Sequence, residues 1–302
     1  MACLALHLML HSHLELLWYV FVRFDSSTEI VFRPRNLRRF LPTRISHSAS
    51  ESCSLIDWQI PGQGSVTLFW PVCAILISSG FLTSLLTGTP MLIRALREGA
   101  RARQGLFAWS CAMLWYGCMC LGGLFFHCLH IRKIPHMMDV SGTGLSSLFV
   151  IAGFAAFKGI LDDRTTKQRL TLLISSLLFV IVGSFSPRWL QEQLYVVPSL
   201  IAAGTGIVFI QKSPAKSPGP ELSSEQRASH KAALRWLNAA GLAVVVGLAA
   251  ISLDKYLCVY LGTEFTMLFW FFLGCNAAIF FVVQFAHTAV HHNLQFTHVK
   301  VQ

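Results

Sequence analysis

Charged residues are scarce in this sequence, and the common motifs of nucleotide chemistry are missing. Of 302 residues, 13% are Asp, Glu, Lys or Arg, whereas 54% are hydrophobic. A soluble globular domain carries about 25% charged residues. The sequence contains no nucleotide-binding motif, no glycine-rich phosphate loop and no nucleophile elbow. These absences disfavour a soluble domain and a nucleotide-dependent enzyme.

Long apolar stretches dominate what is present. A membrane-spanning helix needs about 20 mostly apolar residues, and only structures with internally closed hydrogen bonds are stable in lipid. We therefore expect an all-α polytopic membrane protein, a bundle of seven transmembrane helices, or eight if the N-terminal segment inserts. The seven predicted spans are 66–89, 105–127, 140–160, 170–186, 193–211, 237–253 and 265–286.

The basic residues between the spans predict an orientation. The loops 94–103, 158–169 and 212–235 together carry a net charge of +8, and the alternate loops sum to zero. Loops rich in Lys and Arg stay on the cytoplasmic side, so the C-terminus is predicted to be cytoplasmic. The overall charge of +10 then reflects orientation and attraction to anionic membrane lipids. No basic patch interleaved with aromatic residues predicts a nucleic-acid partner.

The N-terminal segment 1–56 does not fit this pattern. It begins with an apolar run that lacks a basic start and continues into a stretch rich in arginine, which the predicted topology would place in the lumen. A further membrane anchor, a removable targeting segment and a misassigned start of the coding sequence remain open. The predicted organisation is thus a separate segment 1–56, a transmembrane domain 57–290 and a cytoplasmic tail 291–302.

Ionisable residues near the predicted lumenal ends of the spans form the candidate site. His127 lies about one turn inside the end of the second predicted helix, Asp139 opens the third and Asp254 closes the sixth, so all three can share one layer. Intramembrane ionisable groups are functional candidates by default. An imidazole with an orienting carboxylate is half of a zinc hydrolase site. The alternative is an interfacial histidine with two helix-capping aspartates.

These motifs resemble those of the CREST superfamily, which includes alkaline ceramidases, progestin/adipoQ receptors, post-GPI-attachment lipases and myomaker. The shared pattern consists of Gly123 with His127, of Asp139, and of a Leu-Asp-x-x-x-Cys motif at Asp254 and Cys258. The run that follows Asp139, Val-Ser-Gly-Thr-Gly-Leu-Ser-Ser, is most similar to the myomaker and lipase branch. The resemblance covers roughly 57–286.

The resemblance implies a zinc-dependent lipid hydrolase, but this chain departs from the pattern twice. Active members complete the zinc site with His-x-x-x-His near the start of the seventh span, where this sequence has Glu264 and Leu268. Gly123 stands where a serine of the second span assists. The His-x-x-x-His motif that follows the seventh span starts at His287, is followed by His292 and comes 23 residues after Glu264, or about 35 Å along a helix. That cluster is predicted to lie at the cytoplasmic interface, or to form a separate metal site.

Two functions of different classes follow. The first is a divergent, non-catalytic relative that acts in lipid binding or membrane organisation. The alternative is a zinc-dependent intramembrane lipid hydrolase, with His127 as metal ligand, Asp139 as its orienter, and Asp254 or Glu264 in place of a missing ligand. The missing histidines favour the first, and membrane lipids are the expected partners in both. A transporter is a weaker third reading, because no inverted repeat is evident.

One disulfide is also predicted, between Cys53 and Cys258, if the N-terminal segment folds over the bundle at its lumenal side; Cys258 resembles the cysteine that follows the Asp in alkaline ceramidases. Both are predicted to lie on the lumenal side, where oxidation is permitted. Cys128 is the competing partner.

Overall fold

The structure is a computed structural model, which describes residues 57–59, 67–69, 71–129, 131, 133–212, 224–261, 267–292 and 294. The N-terminal segment 1–56 lies outside these residues, as do Cys53, Glu264 and most of the tail 291–302. Asp254 and Cys258 fall within a described helix, but their side chains lie outside the described part. The predictions made for these residues, including the disulfide, therefore stay predictions.

Seven α-helices make up almost all of the described chain. A pair of three-residue antiparallel strands, β1 Asp57–Gln59 and β2 Thr67–Phe69, precedes them, with Asp57 opposite Phe69. A 3₁₀ turn, Gly99–Arg101, follows the first helix, and a π-helical turn, Leu124–Cys128, follows the second. The helices are α1 Pro71–Glu98, α2 Leu106–Gly123, α3 Lys133–Phe157, α4 Thr166–Phe185, α5 Arg188–Lys212, α6 Ser224–Leu261 and α7 Met267–His291.

Five of these helices are long and apolar enough to cross a bilayer. They are Pro71–Arg101, Leu106–Cys128, Ile134–Phe157, Thr166–Phe185 and Leu268–His291. The prediction of a helical fold with several helices long and apolar enough to span a membrane is confirmed, whereas the count of seven spans is not confirmed over the described residues. In α5 the apolar part is a shorter stretch, Val196–Phe209.

The helix α6 begins 13 residues before the apolar stretch 237–253 that predicted it. Its first turns are amphipathic, because Ala233, Leu234 and Leu237 are buried whereas Lys231 and Arg235 are exposed. Apolar residues at this spacing form one face of a helix. Such a segment contains no continuous apolar run. The predicted span 237–253 is therefore shorter than the helix Ser224–Leu261.

The core lies around α2, whose residues are mostly buried against α1 and α3. Trp109 of α2 is fully buried, and its ring lies 5.3 Å from that of Phe154 and 5.8 Å from that of Phe285, edge to face in both cases. Aromatic pairs prefer this geometry. Extensive contacts also join α6 to α7, α3 to α5 and α1 to α7. In α4, many large apolar side chains face outward, as lipid-facing residues do.

Buried polar side chains form hydrogen bonds to the ends of helices on the side of the bundle opposite His127. The carboxylate of Asp163 is fully buried and accepts hydrogen bonds from the backbone N–H groups of Gly105, at 2.7 Å, and Ala108, at 3.0 Å. It thereby caps the N-terminus of α2 from the α3–α4 connection. The guanidinium of Arg169 donates to the carbonyls of Ala95 and Gly99 at the end of α1. We call this the Asp163 end, and the opposite one the His127 end.

Candidate functional site

A local change of helix geometry positions His127. The residues Leu124–Cys128 form a π-helical turn, in which the N–H of Leu129 donates to the carbonyl of Leu124 five residues earlier, at 3.2 Å. Single π turns within α-helices are frequent at functional sites. His127 is the fourth residue of this turn.

Two glycines bring α3 close enough to place Asp139 beside His127. A methyl group added at Gly122 would lie 2.5 Å from the backbone nitrogen of Asp139 and 2.7 Å from the carbonyl oxygen of Pro135. One added at Gly142 would lie 2.5 Å from the backbone nitrogen of Met119. Any side chain at these two positions would hold the backbones apart. Small residues permit the same close approach in membrane helices generally.

The side chains of His127 and Asp139 form a polar contact, and we call the pair the dyad. The distance between His127 Nε2 and Asp139 Oδ2 is 3.5 Å, and the side chains are 25% and 20% exposed. This separation exceeds that of a strong N–H···O hydrogen bond. The carboxylate can accept hydrogen bonds, and the imidazole can donate or accept. The dyad thus presents polar atoms at the boundary between the bundle core and its surface.

Aromatic rings flank the imidazole. The ring centroid of Phe126 lies 4.8 Å from that of His127, edge to face, and also 4.8 Å from that of His136, at an angle of 31°. The ring of Phe272, from α7, lies 6.2 Å from His127 and is itself buried. The dyad therefore combines one acid and one imidazole with apolar walls.

The seventh helix places the ring of Phe272 beside His127, one turn after Leu268, which is one of the two positions where the resemblance implies metal ligands. A methyl group at Gly123 would lie 3.0 Å from Phe272 Cζ and 3.7 Å from Asp139 Oδ1, so a serine at Gly123 would contact both. Among the described residues, no group of three or more His, Cys, Asp or Glu side chains could hold a metal ion. A zinc site with three protein ligands does not fit the described side chains around His127.

The His-x-x-x-His pair of α7 lies far from the dyad. Phe272, which contacts His127, precedes His287 by 15 residues, and a helix advances about 1.5 Å per residue. The separation along α7 is therefore about 22 Å. Arg103, from the α1–α2 connection, donates to the carbonyls of Val290 and His291, which places that pair at the Asp163 end.

Tyr116 and Asn276 form a second polar cluster, one turn after Phe272 along α7, which the sequence analysis did not predict. The hydroxyl of Tyr116 donates to Asn276 Oδ1 at 2.5 Å, and Asn276 Nδ2 donates to the carbonyl of Leu76 at 2.8 Å. Asn276 thus joins α1, α2 and α7 within the apolar layer. Its amide stands within the long apolar run of the seventh span, which is the signal that could have identified it. Phe272 and the π turn carried no comparable signal.

Comparison of the chain with known protein families, with curated proteins and with solved structures finds no match. The resemblance to the CREST superfamily stays a hypothesis carried by the short motifs at Gly123, His127, Asp139 and Asp254.

Proposed function

We propose that the protein is a seven-span membrane protein of the CREST type, with a cytoplasmic C-terminus, that binds a membrane lipid at the His127–Asp139 dyad without hydrolysing it. One observation carries the proposal. The dyad is formed, at 3.5 Å, but among the described residues the helix that faces it presents Phe272 rather than a metal ligand. The site has the imidazole and the carboxylate that can recognise a polar headgroup, but the seventh span lacks the two histidines that would complete a zinc site and activate water.

The chemistry of the dyad favours a headgroup that carries hydroxyl or amino donors. A carboxylate accepts hydrogen bonds and attracts an ammonium group, and an imidazole can donate to a hydroxyl oxygen. The rings of Phe126 and Phe272 on either side of His127 suit the first carbons of an acyl or alkyl chain. A long-chain amino alcohol combines both features, whereas the phosphate of a phosphodiester headgroup would be repelled by Asp139.

The test uses the full chain in phosphatidylcholine nanodiscs that contain a photoreactive, clickable long-chain amino alcohol. We expect labelling near the dyad, and a loss of about tenfold in Asp139→Asn, the change that corresponds to one charge-assisted hydrogen bond. Asn keeps the shape of Asp but removes its charge. His287→Ala, which changes the opposite end of α7, is the control and should label like the wild type. Equal labelling of wild type and Asp139→Asn would exclude the proposal.

The zinc hydrolase is the competing function, and the π turn at His127 is the observation that favours it. A hydrolase would also need ligands from Asp254 or Glu264, which lie outside the described side chains. The two functions are separated by the zinc content per purified chain of variants at the dyad, compared with that of the wild type. Stoichiometric zinc that is lost in both His127→Ala and Glu264→Gln, together with cleavage of a lipid amide or ester, would replace lipid binding by hydrolysis.

A further inference from the structure

His287 and His291 lie on one exposed face of α7, in its last two turns. Their rings are 5.8 Å apart and nearly parallel, at 20°, and both side chains are exposed. His292 meets the ring of His291 edge to face at 4.8 Å. Residues four apart are neighbours on a helix surface, so the two parallel rings can turn their nitrogens toward one point.

The backbone that carries these rings is held in place at every carbonyl of its last turn. The carbonyl of Thr288 accepts from the N–H of His292 at 3.1 Å, and that of Ala289 accepts from the N–H of Leu294 at 2.9 Å. The guanidinium of Arg103 donates to the next two carbonyls, those of Val290 and His291. Helix ends usually leave four carbonyls without a partner inside the helix, and here all four are used.

The face of the turn opposite His287 and His291 is buried. Ala289, Val290 and Leu294 all belong to the hydrophobic core of the bundle. The last turn of α7 is therefore anchored by packing and by hydrogen bonds, and only the rings of His287 and His291 have conformational freedom to lose on binding. A site whose backbone is already in place binds with less loss of entropy.

We propose that His287 and His291 form a two-imidazole site for a divalent first-row transition-metal ion. Histidines four residues apart on one helix face can bind the same zinc ion, with Zn–N distances of about 2.0–2.1 Å. Water fills the remaining positions, because the described residues supply no third ligand here. Imidazole ligands select copper, nickel and zinc over magnesium and calcium. The site lies about 22 Å along α7 from the ring that contacts His127, so it is independent of the dyad.

The test is residue-resolved protection of histidines from diethylpyrocarbonate, read by mass spectrometry on the full chain in detergent, with and without zinc chloride. Zinc should protect His287 and His291 together. Replacing either one, His287→Gln or His291→Gln, should weaken zinc protection of the other at least about tenfold, because even a ligand's hydrogen-bond partner is worth that much affinity. Magnesium chloride should protect neither.

His292→Gln and His127→Gln are the matched controls, and both should leave the protection unchanged. All four substitutions change exposed or half-exposed side chains, and the circular dichroism of each variant establishes that the helices are intact. The proposal is wrong if zinc protects His287 in the His291→Gln variant as well as in the wild type. It is also wrong if zinc protects only histidines elsewhere in the chain, such as those of the N-terminal segment. Neither result bears on lipid binding at the dyad.

Discussion

Arg103 joins the α1–α2 connection to the end of α7 through two hydrogen bonds from one guanidinium group. Both acceptors, the carbonyls of Val290 and His291, are the last of the helix, where the helix dipole also favours a positive charge. A planar guanidinium can reach two carbonyls at once, whereas a lysine ammonium presents a point charge on a flexible stem. This one side chain therefore fixes the relative position of two distant segments.

We predict that Arg103→Ala destabilises the protein by about 2 kcal/mol, since hydrogen bonds to charged groups contribute about 1.5–3 kcal/mol and this pair is partly exposed. Arg103→Lys should recover only part of the loss. Arg101, which is exposed, is the control, and Arg101→Ala should change the stability by less than about 0.5 kcal/mol. Denaturant unfolding in detergent micelles measures all three. Equal stabilities of the two alanine variants would show that the Arg103 contacts contribute nothing.

Asp163 and Asp162 are neighbouring acids whose pKa values shift in opposite directions. Burial raises the pKa of the Asp163 carboxyl, although the N–H groups of Ala108 and Gly105 and the charge of Arg169 oppose the shift. Hydrogen bonding from Arg164 lowers the pKa of Asp162, which is 38% exposed. The difference follows from burial, because a charged carboxylate loses its solvation when it leaves water.

The two shifts predict opposite pH dependences. Above the ordinary pKa of about 3.9, the unfolded chain ionises at Asp163 while the folded chain still holds the proton, so stability falls as the pH rises toward the raised pKa. Below the ordinary pKa both states are protonated, and this contribution is fully present. Relative to Asp163→Asn, the wild type should therefore lose stability between about pH 4 and the raised value.

Asp162→Asn provides the matched comparison. In the wild type, the lowered pKa of the Asp162 carboxyl contributes stability that is present above about pH 4 and is lost as the pH falls through the lowered value. The stability of the wild type relative to Asp162→Asn should therefore increase with pH, opposite in sign to the Asp163 series. Unfolding free energies measured between pH 3 and 7 test both predictions. If the two stability differences, each between the wild type and one variant, change with pH in the same direction, Asp163 is not the desolvated carboxyl.

At the scale of helices, Gly122 controls the contact between α2 and α3. A methyl group there would lie 2.5 Å and 2.7 Å from backbone atoms of α3, and backbone cannot move aside as a flexible side chain can. We predict that Gly122→Ala destabilises the bundle by about 1–3 kcal/mol, the usual cost of overpacking. It should also weaken lipid labelling at the dyad, because Asp139 would move away from His127.

Gly204 is the control for this prediction. It lies inside α5, is exposed, and has no atom within 4 Å of an added methyl group. Gly204→Ala should stabilise the helix by up to about 1 kcal/mol, since alanine has the higher helix propensity, and leave lipid labelling unchanged. Thermal unfolding and photolabelling of both variants provide the two readouts. Similar effects of the two substitutions would exclude the close α2–α3 approach as the cause.

Helices such as α2, α3 and α7 were predictable because a long apolar run has few other structures in a membrane. The polar start of α6 was not, because an amphipathic extension carries no continuous apolar signal. Within the candidate site, the motifs identified His127 and Asp139, and the structure brings them together. The facing ring of Phe272 depends on how α7 packs across α2, and no local pattern encodes that contact.

At the scale of the whole molecule, the two ends of the described helical bundle carry different sets of polar groups. The Asp163 end holds the buried hydrogen bonds of Asp163 and Arg169, the contacts of Arg103 and the pair formed by His287 and His291. The His127 end holds the π turn and the dyad. Basic residues are concentrated in 94–103 and 158–169, the described segments of the Asp163 end. The proposed metal site and the proposed lipid site would therefore lie at opposite surfaces of the membrane.

The last prediction assigns these surfaces to compartments. Because the loops 94–103, 158–169 and 212–235 sum to +8 and the alternate loops to zero, the positive-inside rule places the Asp163 end in the cytoplasm. An N-glycosylation acceptor inserted at 131–138 or 255–263 should be glycosylated, since those loops would face the lumen. Acceptors at 94–103 or 212–235 should remain unmodified. Gel mobility with and without endoglycosidase measures each one. Glycosylation within 212–235 would reverse the orientation, and would place the His287 and His291 pair, rather than the dyad, on the lumenal surface.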